Sequence, residues 1–191
     1  MAILISLSGL PGVGKTTISK SLSARSKAVH LRVDSVEAAL KRSVLNIHPA
    51  GDAGYLAIAS IAKDNLLLGF DVIADTVNPI EITRELWTST AAAASARLLN
   101  VEVICSDKNV HRQRVETRNS DVEGLIVPDW KAVSEREFEQ WRTDRLIVDT
   151  SVSSIKECAE TIACEMETLR SMVRYVWAQS SQSHFSNSIT K

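Results

Sequence analysis

The stretch Gly9-Leu10-Pro11-Gly12-Val13-Gly14-Lys15-Thr16 limits what this chain can fold into more than any other. Its letters fit G-x-x-x-x-G-K-[ST], a loop whose backbone N–H groups close around phosphate oxygens. Ahead of it the apolar run Ile3-Leu4-Ile5-Ser6-Leu7 reads as a buried strand, and behind it Ile18 and Leu22 share one helix face. Gly9, Gly12 and Gly14 carry no Cβ, so the backbone can take φ > 0 and wrap an anion. The helix that follows aims the positive end of its dipole at the same oxygens. Lys15 is expected to reach the β- and γ-phosphates as a point charge and the Thr16 hydroxyl to ligate Mg²⁺, with Val13 and Thr17 completing the cradle. The glycines run G-x-x-G-x-G, which excludes the dinucleotide fingerprint G-x-G-x-x-G.

Such a strand–loop–helix start needs a sheet to join, and 191 residues with 45% apolar side chains suit one α/β domain. Five apolar runs separated by helical stretches supply it: Ile3–Leu7, Ala28–Val33, Phe70–Asp75, Val101–Cys105 and Leu146–Asp149. Between them, Ser35–Leu40 reads as a short helix. Asp52 reads as the N-cap of a helix closed by Gly69, and Pro79 as the first turn of a helix reaching about Leu99. Asp107 caps a helix carrying His111, Arg112, Arg114 and Arg118, and Asn119–Asp129 is a loop. Strands alternating with helices predict a parallel sheet covered on both faces, with ligands beyond the carboxyl ends of its strands. That rule singles out Ser8, Asp34, Asp75 and Asp149-Thr150.

Asp34 ends its strand roughly 20 residues after the loop, where a carboxylate can orient an attacking hydroxyl or accept its proton. It also suits the N-cap of the helix that follows. Asp75 closes an apolar strand and is expected to hold Mg²⁺ directly or through water; Asn78 on the same loop could reach the acceptor. His111, Arg114 and Arg118 fall at i, i+3 and i+7, on one helix face, where guanidinium groups would neutralise a migrating phosphoryl group. The Gly- and Pro-containing loop after them predicts a lid over about residues 111–136, with Arg136 on its other arm. His48 and His184 have no partner pattern and are read as ligands of nothing.

A formal net charge of −1, without long runs of one sign, argues against a polynucleotide partner. Cys105, Cys158 and Cys164 are odd in number and lack C-x-x-C spacing, which predicts a reduced, cytoplasmic chain. No basic leader and no apolar run near the ~20 residues of a membrane span is read.

Gly9–Thr16, Asp34, Asp75-Thr76-Val77-Asn78-Pro79 and Arg114-x-x-x-Arg118 together resemble the small P-loop kinases related to shikimate kinase, gluconate kinase, chloramphenicol phosphotransferase and the zeta toxins, within the P-loop nucleoside-triphosphate hydrolase superfamily. The resemblance covers about residues 1 to 170. It implies a three-layer α/β/α sandwich, a five-stranded parallel sheet of order 2-3-1-4-5, ATP with Mg²⁺ as donor, and a short arginine-bearing lid. It also implies an acceptor site near Asp34, with Arg114 and Arg118 as the paired lid arginines. Departures are equally informative. The Asp-Gly-Phe-Pro-Arg segment of adenylate-type kinases is missing, which disfavours a nucleoside-monophosphate acceptor, and Arg32-Val33-Asp34 carries one carboxylate where shikimate kinase has Asp-x-Asp. No Asn-Lys-x-Asp is present, so adenine is preferred over guanine. Asp121-Val122-Glu123-Gly124 matches the GTPase D-x-x-G by letters alone.

Val152, Ile155, Ala159, Ile162, Met166, Leu169, Val173 and Val176 step by three and four, a heptad-like seam of about 25 residues. It reads as a helix packed on the sheet or as a homodimer helix or clamp around Trp177. The domain is expected to span residues 1–178, and the polar residues 179–191 to form a disordered tail. The leading expectation is an ATP-dependent phosphotransferase acting on a hydroxyl of a small molecule. Its rivals are a nucleotide-hydrolysing switch acting on a protein partner and a polynucleotide 5′-hydroxyl kinase.

Overall fold

A computed structural model describes the backbone of residues 1–186 and the side chains of residues 1–171. Five parallel strands form one sheet: β1 (Ile3–Ser8), β2 (Val29–Arg32), β3 (Val72–Asp75), β4 (Arg97–Ile104) and β5 (Leu146–Asp149). Their spatial order is β2-β3-β1-β4-β5, the expected 2-3-1-4-5. β1 lies at the centre, paired Leu4 to Val72 on one side and Leu4 to Leu98 on the other. Every residue of β1 is buried, because its alternate side chains feed two separate layers. Ile3, Ile5 and Leu7 join one core with Ile18, Leu22, Ala159, Ile162 and Met166. Leu4 points the other way, into a core with Ile58, Ala62, Leu66, Trp87 and Ala91.

The helices supplying those cores are α1 (Lys15–Ser26), α2 (Val33–Arg42), α3 (Ala53–Leu67), α4 (Glu81–Ala93), α5 (Lys108–Thr117), α6 (Trp130–Ser134) and α7 (Ile155–Ser186). Three expected boundaries are corrected. The second strand stops at Arg32, and Asp34 is the second residue of α2, so it neither ends a strand nor caps the helix; Arg32 holds the N-cap position. The helix after Pro79 ends at Ala93, and Leu98 and Leu99 belong to β4. Ser95 turns to φ 51 there, with Ser95 N–H on Ala92 O and Ala96 N–H on Ala91 O. That is a Schellman ending made without glycine, so no glycine announces it in the sequence. Asp52 precedes α3, but its side chain caps nothing.

Other local readings hold. Gly69 takes φ 90 after α3, with Phe70 N–H on Asn65 O and Gly69 N–H on Leu66 O, the same Schellman pattern with the residue that suits it. Asp107 caps α5 through Asn109 and Val110 N–H groups at 2.8 and 3.1 Å. A reciprocal capping box opens α7: Ser154 N–H to Glu157 Oε2 at 2.8 Å and Glu157 N–H to Ser154 Oγ at 3.2 Å. Val152 lies before that box and is exposed, so the seam begins at Ile155. Ala159, Ile162 and Met166 are buried against the α1 side of the sheet, and Ile155 and Leu169 pack beside them. The side chains of Val173, Val176, Trp177 and His184 lie outside the described residues, as do residues 187–191 altogether. The helical backbone of α7 extends to Ser186, through the first part of the segment expected to be a tail. Among the described residues no helix is long and apolar enough to cross a membrane.

Candidate active site

The glycine loop sits where β1 runs into α1, and its backbone shows why three glycines are needed. Gly9, Gly12 and Gly14 adopt φ of 140, 88 and 104, and Gly14 occupies the N-cap position of α1. A Cβ on Gly9 would stand 2.2 Å from Val103 O, a backbone atom that cannot move aside. One on Gly12 would meet Val115 Cγ2 at 2.6 Å, because α5 is pressed over the loop. Gly9→Ala therefore combines a forbidden backbone angle with a clash against β4. We expect it to destabilise the fold by about 3 kcal/mol, read as a lower urea midpoint.

Lys15, 8% exposed, donates from Nζ to Gly9 O at 2.7 Å and Leu10 O at 2.9 Å. Burial lowers its pKa to about 8; the charges of Asp75 and Asp34 oppose that shift, while Arg118 and Arg136 add to it. Asp75, at the end of β3, is buried beside it. Burial pushes the Asp75 carboxyl up, but hydrogen bonding from His30, the Lys15 charge and the Thr16 hydroxyl outweigh it and hold the group below its ordinary value. His30 Nε2 lies 3.2 Å from Asp75 Oδ2. No motif flagged His30; it reaches Asp75 because β2 and β3 are neighbouring strands, a long-range fact.

Lys15, Thr16, Asp34, Asp75, Arg114, Arg118 and Arg136 all line one cavity of about 840 Å³. That volume lies within the range of small-ligand sites. Asp34 enters it from the first turn of α2, flanked by Arg32 Nη2 at 3.4 Å and Arg118 Nη2 at 4.0 Å. The expected common helix face does not form. α5 ends at Thr117 and Arg118 is extended, so it swings over Asp34 while Arg114 turns elsewhere. Arg114 donates to Thr150 Oγ1 at 2.7 Å and Thr150 O at 2.9 Å, and Thr150 in turn donates to Val13 O at 2.8 Å. Arg114 thus ties α5 and the turn after β5 to the phosphate loop. His111 is buried, with Nε2 2.8 Å from Pro11 O and its ring edge-on to Trp130. Arg136 follows α6 and is not part of it.

Asn78 does not face an acceptor. It is fully buried at φ 46; its Nδ2 donates to Ser6 Oγ and Leu7 O, and its Oδ1 accepts from Trp87 Nε1. Every polar atom of the side chain is used within the core. The loop it anchors is locked again by Arg84, 3% exposed, which donates to the carbonyls of Asn78, Pro79, Glu139 and Gln140 and lies 4.3 Å over the Trp141 ring. Arg84 therefore fixes the segment just beyond Arg136 to the start of α4, and nothing in the local sequence marks it. Glu37 and Tyr55 line the cavity as well. Glu37 was legible, being one turn after Asp34 on the same helix face.

The segment between α5 and α6 closes the cavity with Leu125, Ile126 and Pro128. It is held by ion pairs: Asp121 to Lys20 at 2.5 Å and to Arg32 at 2.6 Å, and Glu123 to Arg42 at 2.5 Å. Hydrogen bonds from Lys20 and Arg32 hold the Asp121 carboxyl far below its ordinary value.

The Thr16 hydroxyl and the Asp75 carboxylate line the same cavity beside the loop and supply hard oxygens suited to Mg²⁺. Among the described residues no group of three or more His, Cys, Asp or Glu side chains is set to hold a metal.

A family model described as an AAA domain matches residues 4–144, about three quarters of the sequence. The chain belongs to this family. Within the AAA-domain match lie the glycine loop, Asp34, Asp75 and all four arginines that line the cavity, Arg32, Arg114, Arg118 and Arg136. Solved structures share the fold. A putative kinase from Chloroflexus aurantiacus is 17% identical, with a TM-score of 0.69 over 87% of this chain and 97% of that one. The Mycobacterium tuberculosis APS kinase CysC, in complex with AMPPNP and APS, is 15% identical, with a TM-score of 0.61 over 87% and 98%. Chaetomium thermophilum Kti12, in complex with ADP-AlF3, is 20% identical, with a TM-score of 0.61 over 83% and 96%. Among curated proteins none matches. The AAA-domain chain thus has the fold of the P-loop kinases.

Proposed function

We propose that this protein is an ATP-dependent phosphotransferase that moves the γ-phosphate to a hydroxyl of a small molecule. The observation that carries this reading is the presence of Asp34, the glycine loop with its Lys15, and Arg118 in one cavity, with Arg118 Nη2 4.0 Å from Asp34. The complexes of its fold relatives with AMPPNP and ADP-AlF3 support an adenine nucleotide as donor. The loop amides and Lys15 hold the phosphates. Thr16 and Asp75 are the residues to hold Mg²⁺, which when bound neutralises charge on the β- and γ-phosphate oxygens. Asp34 orients the acceptor hydroxyl and takes its proton as the new O–P bond forms. The bond from the γ-phosphorus to the bridging oxygen breaks, and that oxygen leaves on ADP. Arg118 and Arg136 stabilise the charge that spreads over the migrating group. Arg114 holds the loop in shape.

The test is ADP release with ATP-Mg²⁺ against fractionated metabolites. One fraction should stimulate the wild type, and Asp34→Asn should lower that stimulated rate by about 10²–10⁴-fold while ATP binding by calorimetry survives. A slow basal rate that no fraction changes would refute the kinase reading and favour a nucleotide-hydrolysing switch.

A further inference from the structure

Asp75 is the acid assigned above to Mg²⁺, and its side chain is 3% exposed. A carboxylate that deep keeps its charge and its orientation only through the groups around it. The sheet decides which groups those are. β2 and β3 run parallel, with His30 opposite Ile73 and Arg32 opposite Asp75. Side chains two residues apart on a strand share a face, so His30, Arg32, Ile73 and Asp75 all leave the sheet on one side. Ile73 packs with Ile18 and Leu22 of α1, which makes this the α1 side. Asp75 is thereby turned toward the start of α1, where Lys15 and Thr16 stand.

Two of the basic side chains nearest Asp75 are spent elsewhere. Lys15 Nζ donates to Gly9 O and Leu10 O, and the Arg32 guanidinium donates to Asp121 and Asp34. His30 is the one side chain among the described residues in hydrogen-bond geometry with Asp75, with Nε2 3.2 Å from Oδ2. An ionised carboxylate only accepts, so Nε2 is the nitrogen that carries the proton. That bond occupies Oδ2 and leaves Oδ1 without a hydrogen bond among the described residues, on a side chain that lines the cavity. The choice of residue has a chemical logic. An imidazole can donate one such bond while neutral, whereas an ammonium or guanidinium would set a full charge against a divalent cation.

We propose that His30 is a positioning residue for the metal: its Nε2–H holds Oδ2 of Asp75 and so sets Oδ1 to receive the Mg²⁺ that accompanies ATP. This rests on the nucleotide reading above, with Asp75 as the acid that meets the ion, and not on what the acceptor is. Carboxylates that ligate metals are oriented by such outer hydrogen bonds, and losing one costs about 10–100-fold in metal affinity.

The experiment holds the full chain in excess over AMPPNP and titrates Mn²⁺, a stand-in for Mg²⁺ whose free form is read by electron paramagnetic resonance. Wild type, His30→Leu, His30→Gln and Asp75→Asn are compared, and metal-free AMPPNP binding is measured on each by calorimetry. His30→Leu should raise the half-saturating Mn²⁺ concentration by about tenfold or more, and His30→Gln, whose amide still donates, should recover part of that loss. Metal-free AMPPNP affinity should stay within about threefold in both His30 variants, which a residue that merely supports the loop would not allow. Asp75→Asn should raise the half-saturating concentration at least as much, and adding His30→Leu to it should change little, because the hydrogen bond acts through Asp75. An unchanged value in His30→Leu beside a raised one in Asp75→Asn overturns the inference and leaves Asp75 on the metal. A His30→Gln as weak as His30→Leu overturns it too, as does a loss of metal-free affinity in either variant. A value unmoved by Asp75→Asn overturns the metal role of Asp75 and the inference with it, and a wild type that binds no AMPPNP overturns the nucleotide reading itself.

Discussion

Replacing Lys15 by alanine is expected to cut ATP affinity on the order of 10²–10³-fold, because it removes a charged donor to two phosphates at a site where water is excluded. Calorimetric titration of ATP-Mg²⁺ into wild type and variant checks it, and an affinity within threefold of wild type would contradict the assigned role. The wild type carries a pH signature of the same group. Lys15 titrates at about 8 in the folded chain and at 10.5 when unperturbed. Above about 8 the free protein loses the ammonium that phosphate needs, so ATP affinity should fall by close to tenfold per pH unit. That slope lasts until the pKa of the bound state is passed. Stability should move the other way. Between about 8 and 10.5 the unfolded chain holds the extra proton, so Lys15 makes the fold more stable as pH rises through that window and costs stability below it. Opposite slopes for binding and for stability, seen in titrations and in urea unfolding across pH 7–10, identify Lys15 as the group responsible.

Arg84→Leu should be the most damaging substitution outside the cavity. Arg84 donates to four backbone carbonyls, and all four come from two loops that have no ladder partner to replace it. Leucine can fill the space against Trp141 and Phe138 but leaves those carbonyls without their donor. With buried acceptors costing about 1–3 kcal/mol each and part of the loss relieved by water, a destabilisation of about 4 kcal/mol is expected. Urea unfolding measures it. A second readout follows from position: Arg84 pins the chain just beyond Arg136, so acceptor-stimulated turnover should fall even where the variant remains folded. A loss below 1 kcal/mol would mean that the loops hold themselves.

The sheet and its phosphate loop were legible because the evidence for them is local. Alternating apolar runs reveal strands, and Gly9, Gly12 and Gly14 with Lys15 and Thr16 show the loop through spacing alone. Asp75 was readable for the same reason, an acid closing an apolar run. What failed was decided by geometry that spacing does not encode. Arg114 and Arg118 looked like one helix face until α5 ended between them, at a residue with no glycine or proline to mark it. Asn78 looked like a free polar side chain on a loop, but φ 46 turns it inward to Ser6 and Trp87. His30 and Arg84 could not be found, since His30 acquires its meaning 45 residues away and Arg84 faces a segment some 55 residues on. Glu37 could have been found, because an acid one turn after Asp34 needs only the helix period to be noticed.

The ionic contacts over the cavity also bear on how ligands come and go. Lys20, Arg42, Asp121 and Glu123 are each about half exposed or more, so each pair is worth only about 0.2–1 kcal/mol and is weakened by salt. At physiological ionic strength the screening length is about 8 Å, enough to leave these contacts formed but shallow. The segment over the cavity is therefore fastened by two exposed pairs that salt weakens and by the Asp121–Arg32 pair, whose guanidinium is 8% exposed and is screened less. Raising the salt concentration should loosen the Lys20–Asp121 and Arg42–Glu123 pairs first and leave the contact between Arg32 and Asp121 in place.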